Sequence, residues 1–82
     1  LSVIIYTRQG CPLCDKGIAA ARSVFGKDQI TLVDVDLDLE LMEKYTERVP
    51  VIETLDGAVI DEGIITETAL RAFLDTAVTF PR

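Results

Sequence analysis

The sequence has no histidine, only two cysteines, no cluster of basic side chains, and no apolar run longer than the four residues Val3 to Tyr6. Each shortage excludes something. Without histidine there is no histidine-based catalytic triad and no histidine metal site. Two cysteines standing three positions apart, Cys11 and Cys14, do not make a secreted disulfide scaffold, because the bridge would close only a tiny loop. A four-residue apolar run is far too short to span a bilayer. No basic segment leads into an apolar stretch, so no secretory signal is read although the sequence starts at Leu1 rather than Met, and a cytoplasmic location is expected. With 14 acidic against 8 basic residues and a net charge of −6, the chain lacks the basic patch of a nucleic-acid binder, and neither nucleic acid nor membrane is expected as a partner.

What is present is an ordinary globular balance of 49% hydrophobic and 27% charged residues. Eighty-two residues make one domain, spanning 1–82, with one modest core, and a monomer is expected. There is no repeat, linker or low-complexity tract. Val3 to Tyr6 reads as a buried strand. From Pro12 the pattern turns helical: Cys14, Ile18, Ala21 and Phe25 share one face, and Gly26 is placed to end the helix. Gly17 inside this helix costs stability, which points to a close contact. Ile30 to Val35 reads as a second buried strand. Asp38 can cap a short helix carrying Leu41, Met42 and Tyr45 on one face. Val49-Pro50 breaks that pattern. Val51 to Leu55 and Ala58 to Ile60 read as strands joined by a two-residue Asp56-Gly57 hairpin turn. Thr66 can cap a last helix with Leu70, Phe73, Leu74 and Ala77 inward. The order β-α-β-α-β-β-α predicts an α/β fold, with a parallel β-α-β crossover followed by an antiparallel hairpin in a mixed four-stranded sheet flanked by helices.

The chemistry concentrates at Cys11-Pro12-Leu13-Cys14. Cys11 falls at the N-cap of the first helix, where unpaired backbone N–H groups and the helix dipole favour a thiolate. Cys14 lies nearly one turn later and faces inward. The pattern assigns Cys11 as nucleophile and Cys14 as resolving thiol. Arg8 stands near enough to add positive charge, or is an exposed loop charge. Asp15 opposes thiolate formation and Lys16 offsets it, so a moderate thiol pKa is expected. One Cys pair supplies two of the four ligands of a zinc site, so the non-enzymatic alternatives are zinc or an iron–sulfur cluster shared between two chains through Cys11, or an interaction module with an idle disulfide. The pair's place between a strand and a helix of a β-α-β unit favours redox chemistry.

Three segments carry a resemblance: Tyr6-Thr7-Arg8-Gln9-Gly10-Cys11-Pro12-Leu13-Cys14, Arg48-Val49-Pro50-Val51 and Asp56-Gly57. With the order of elements, they resemble the thioredoxin superfamily and glutaredoxins in particular, closest to small bacterial glutaredoxin-like proteins with a Cys-x-Leu-Cys-Asp turn. The resemblance implies a thioredoxin-like fold, a cis Val49-Pro50 bond beside the cysteines, and a substrate groove formed by Arg8, Pro12, Val49 and Pro50. It implies a thiol–disulfide oxidoreductase acting in cell redox homeostasis on protein or small-molecule disulfides. No bound cofactor is expected, and the electron source is glutathione or thioredoxin reductase. A reduction potential of about −200 to −270 mV goes with that range of proteins. A dedicated electron donor to one partner, such as ribonucleotide reductase, is the second enzymatic reading. The pattern departs from dithiol glutaredoxins at Leu13, where they carry an aromatic residue, and at Asp61-Glu62-Gly63-Ile64, where they carry Gly-Gly and a following Asp. Two carboxylates there oppose binding of the glutathione carboxylate, and only Arg8 matches the family's basic glutathione contact.

Overall fold

A central strand, β1 (Val3–Thr7), organises the molecule because it is paired along both edges. The computed structural model describes residues 2–79, with side chains to residue 76. The polar loop after β1 leads to α1 (Pro12–Phe25), which ends at Gly26 with φ +79°, a left-handed value suited to glycine. A 3₁₀ turn at Lys27–Gln29 precedes β2 (Ile30–Asp34). A second 3₁₀ turn at Val35–Leu37 feeds α2 (Leu39–Tyr45). Then come β3 (Val51–Thr54), β4 (Val59–Glu62) and α3 (Glu67–Thr79). The sheet order is β2-β1-β3-β4. β1 and β2 are parallel, in register from Val3–Ile30 to Thr7–Asp34, while β1–β3 and β3–β4 are antiparallel. This is the expected mixed α/β arrangement.

Alternation along β1 and β3 builds a core on each face of the sheet. Val3, Ile5 and Ile52 pack with Ala21 of α1, Leu70 of α3 and Ile65. Val51 packs with Val35 and Tyr45, joined by Tyr6, Leu41 and Val49, on the α2 side. The helix starts follow from local chemistry. Asp38 accepts from the N–H groups of Glu40 and Leu41 at 2.9 and 3.1 Å, and Thr66 accepts from Ala69 at 3.2 Å. Leu70 is buried and Phe73 and Leu74 are half-buried, whereas the side chain of Ala77 lies outside the described residues.

Four expectations need correction. β2 is not a buried strand: it is an edge strand with exposed Thr31 and Leu32, and Val35 is buried from the following turn instead. The hairpin loop has three residues, Leu55 to Gly57, closed by Thr54 N–H to the Ala58 carbonyl at 2.9 Å. Gly57 takes φ +93°, and the pairing slips by one residue between Ile52 and Glu53, a bulge that the wider loop accommodates. β4 therefore runs from Val59 to Glu62, past Ile60. Met42 does not share the inner face of Leu41 and Tyr45; it is partly exposed on the outer side of α2.

Candidate redox site

The first turn of α1 sets the geometry. Cys11 has extended backbone angles (φ −112°, ψ 103°) and is the N-cap residue, with Pro12 at the first helical position where its missing N–H costs nothing. The Cys14 N–H donates to Cys11 Sγ at 3.1 Å, and the Asp15 N–H to the Cys11 carbonyl at 3.1 Å. The two cysteines are joined as a disulfide, with Cα atoms 5.2 Å apart. Cys14 is fully buried, whereas Cys11 is partly exposed. The sulfur that incoming groups meet is thus the one that occupies the helix cap. Asp15 and Lys16 are exposed beside it, as are Pro12 and Leu13.

The Val49-Pro50 bond is cis. Pro50 is fully buried, and its carbonyl accepts from the Gly63 N–H at 2.8 Å, tying the start of β3 to the end of β4. A Cβ added at Gly17 would lie 3.3 Å from Pro50 Cγ and 3.4 Å from Ile65 Cδ1. Gly17 is therefore the cutaway that lets the cis-proline loop rest on α1, one turn below Cys14. The contact expected from that glycine is real, and it brings Pro50 to the disulfide-bearing end of the helix.

Arg8 is placed otherwise than its position before Cys11 suggests. Its Nε and Nη2 hold Asp36 at 3.0–3.2 Å in a forked pair, and its Nη1 donates to the Thr46 carbonyl at 2.7 Å. The guanidinium clasps the turn before α2 to the end of α2, with Nε, Nη1 and Nη2 each donating within the molecule. The Asp61-Glu62 pair is also altered by its surroundings. Glu62 accepts from Arg48 Nε at 2.8 Å, and Asp61 accepts the Glu62 N–H at 2.9 Å, so the charge of Glu62 is balanced beside the cis-proline loop.

One polar pair escaped sequence reasoning. Glu53 is buried on β3 and accepts a hydrogen bond from the Tyr45 hydroxyl. Tyr6 stacks on Tyr45 at 4.7 Å between ring centroids, and Lys44 and Arg48 stand over the Tyr45 ring at 5.0 and 5.2 Å. Burial, then the hydrogen bond to Glu53, pushes the Tyr45 phenol well above its ordinary value. The available signal was a carboxylate at alternation with Val51 in an otherwise apolar strand. Among the described residues, no three His, Cys, Asp or Glu side chains converge as a metal-holding group.

A family model described as a glutaredoxin-like domain (DUF836) matches residues 2–75. The chain belongs to that glutaredoxin-like family. It is accordingly a thioredoxin-superfamily protein, and its Cys11–Cys14 pair occupies a redox-type position. Among solved structures, this glutaredoxin-like chain is similar to the structural-genomics target protein XcR50 from X. campestris. Its X-ray structure has 29% identity and a TM-score of 0.80, covering 92% of this chain and 97% of that one. Protein Ne2328 from Nitrosomonas europaea matches at 24% identity and TM-score 0.71, covering 88% of each chain. Oxidized glutaredoxin 2 from Chlamydomonas reinhardtii matches at 21% identity and TM-score 0.65, over 94% of this chain and 78% of that one, and shows the shared fold. Among curated proteins no match is found.

Proposed function

We propose that this protein is a dithiol–disulfide oxidoreductase using Cys11 and Cys14. The observation that carries the reading is the N-cap bond: the partly exposed Cys11 sulfur accepts the Cys14 N–H at 3.1 Å, while Cys14 is sealed beneath it. A sulfur so placed is stabilised as thiolate by the same backbone donors and dipole. In the reduced protein, the Cys11 thiolate attacks one sulfur of a substrate disulfide and expels the other half as a thiolate, which takes a proton from solvent. Cys14 then loses its proton and attacks the Cys11 sulfur of the mixed disulfide, expelling the second half. The substrate gains two electrons and two protons to become two thiols, and the protein is left with the Cys11–Cys14 disulfide. Two equivalents of thiol, or a dithiol reductase, return the electrons. Pro12 and Val49 form the groove wall, with the buried Pro50 supporting it from beneath, and an extended substrate segment pairs to the backbone of Val49.

Thioredoxin reductase is favoured over glutathione as electron source by the engagement of Arg8 with Asp36 and Thr46, which partly neutralises and occupies the basic contact a glutathione carboxylate would use. Such a reductant role fits a reducing compartment such as the cytoplasm and a part in thiol redox homeostasis. Among the described residues, no helix is long and apolar enough to cross a membrane. The test is reduction of a small disulfide, followed by NADPH consumption with each reductase system. Cys11→Ser should abolish turnover, and Cys14→Ser should stop at a mixed disulfide on Cys11 visible by mass spectrometry. Turnover surviving in Cys11→Ser refutes the assignment.

A further inference from the structure

α2 carries two stripes. Leu41 and Tyr45 face the sheet. Leu39, Met42, Glu43 and Thr46, spaced i, i+3, i+4 and i+7, line an outer groove of about 310 Å³ whose other wall is Arg8. Leu39 is 77% exposed, and Leu37, two residues earlier, is 85% exposed. Two exposed leucines within three residues, one of them lining the groove, are more apolar surface than a solvated helix needs. Charge is concentrated at the same place. Residues 34 to 47 hold six carboxylates and one lysine, which is −5 of the chain's −6. Arg8 balances Asp36 from across the groove, while Lys44 and Arg48 stand over the Tyr45 ring. Glu43 lines the groove itself, and Asp38, Glu40 and Glu47 are exposed on the same stretch of chain.

We propose that this groove docks a protein segment bearing leucine-type side chains among lysines and arginines, and so selects the disulfide presented to Cys11. This rests on the oxidoreductase reading, because Arg8 joins the groove to the cysteine-bearing loop only three residues before Cys11. Charge decides the occupant. A second copy would oppose one acidic face to another, and anionic lipid or nucleic acid would be repelled in the same way, whereas a basic, apolar segment is complementary in both respects. The groove has the volume for one or two apolar side chains, not for a domain, so the partner contributes an exposed segment.

The test compares two synthetic peptide disulfides of equal length as substrates of the reduced protein, one with lysine and leucine around its cysteine, the other with glutamate and serine. The Lys–Leu peptide should react about tenfold faster at low salt, with the advantage shrinking as ionic strength rises. Leu37→Ser/Leu39→Ser and Glu40→Lys/Glu43→Lys should each bring the two rates together while leaving reduction of hydroxyethyl disulfide unchanged. Equal rates in the unaltered protein, or an advantage that survives both variants, overturns the proposal and leaves the cysteine chemistry standing. If no disulfide is reduced at all, the oxidoreductase reading falls, and docking is decided by anisotropy of a labelled, cysteine-free Lys–Leu peptide: saturable binding lost in Leu37→Ser/Leu39→Ser sustains it, and no binding overturns it. A dimer of the protein that Leu37→Ser/Leu39→Ser dissolves would give the face to a second copy and also overturn it.

Discussion

Cys11 and Cys14 share one turn of helix but not one environment: Cys11 is partly exposed and Cys14 is buried, the contrast on which their proposed roles rest. On the far face of the sheet the polar pair has no such contrast, since Tyr45 and Glu53 are both buried. Tyr45→Phe removes the hydroxyl that donates to buried Glu53 and should cost about 1–3 kcal/mol, read as a lower denaturant midpoint for the oxidised protein at neutral pH. The pair also sets an alkaline limit. Folding raises the Tyr45 pKa, so its contribution is intact below the ordinary phenol value of about 10 and is lost as pH climbs above it, where the unfolded chain releases the proton and the native one holds it. Denaturant titrations above and below that pH should show a fall in stability that is shallower in Tyr45→Phe. Residue by residue, the site was legible where its chemistry is local. The Cys pair, its proline and the helix start lie within four positions. The engagement of Arg8 was not legible, because Asp36 and Thr46 are 28 and 38 positions away and nothing near Arg8 encodes them. Glu53 was hidden for the same reason: its partner belongs to another element.

At the scale of elements, the helices were predictable and the strands less so. α1, α2 and α3 begin where Cys11, Asp38 and Thr66 can cap them, a signal contained in a few residues. β2 reads like β1 from its residues, yet one lies at an edge and the other in the centre, a distinction made only by which strands pair. The end of β4 was missed because Asp61 and Glu62 carry no apolar alternation; pairing with Ile52 and Val51 makes them strand. The packing of α1 on the cis-proline loop can be tested at Gly17. Alanine should be nearly neutral, since about 1 kcal/mol of helix propensity offsets the crowding of Pro50. Valine should cost about 1–3 kcal/mol by overpacking and should slow disulfide reduction, because the loop must move away from the disulfide-bearing end of α1. Denaturation midpoints and reduction rates of the two variants check both statements.

For the whole molecule, a single sheet serves two cores, and neighbouring residues of β3 point into different ones: Ile52 toward α1 and α3, Val51 toward α2. Neither core can lose its sheet without the other. Ile52→Ala should destabilise by about 2–5 kcal/mol, and tyrosine fluorescence, which reports Tyr6 and Tyr45 on the opposite face, should fall together with far-ultraviolet circular dichroism in one transition. Separate transitions would show that the two faces unfold independently.

The strand order also has a consequence for how the chain is made. β1, paired on both edges, precedes one of its two partners, β3, by about forty residues, with β2 in between. Until Thr54 leaves the ribosome, β1 can be covered by β2 on one side while its other edge, with Val3, Ile4, Ile5 and Tyr6, stays open to any strand that meets it. Between the emergence of β2 and that of β3 the nascent chain is thus at its most adhesive, and a chaperone that shields Val3 to Tyr6 would act then and not after the hairpin has closed.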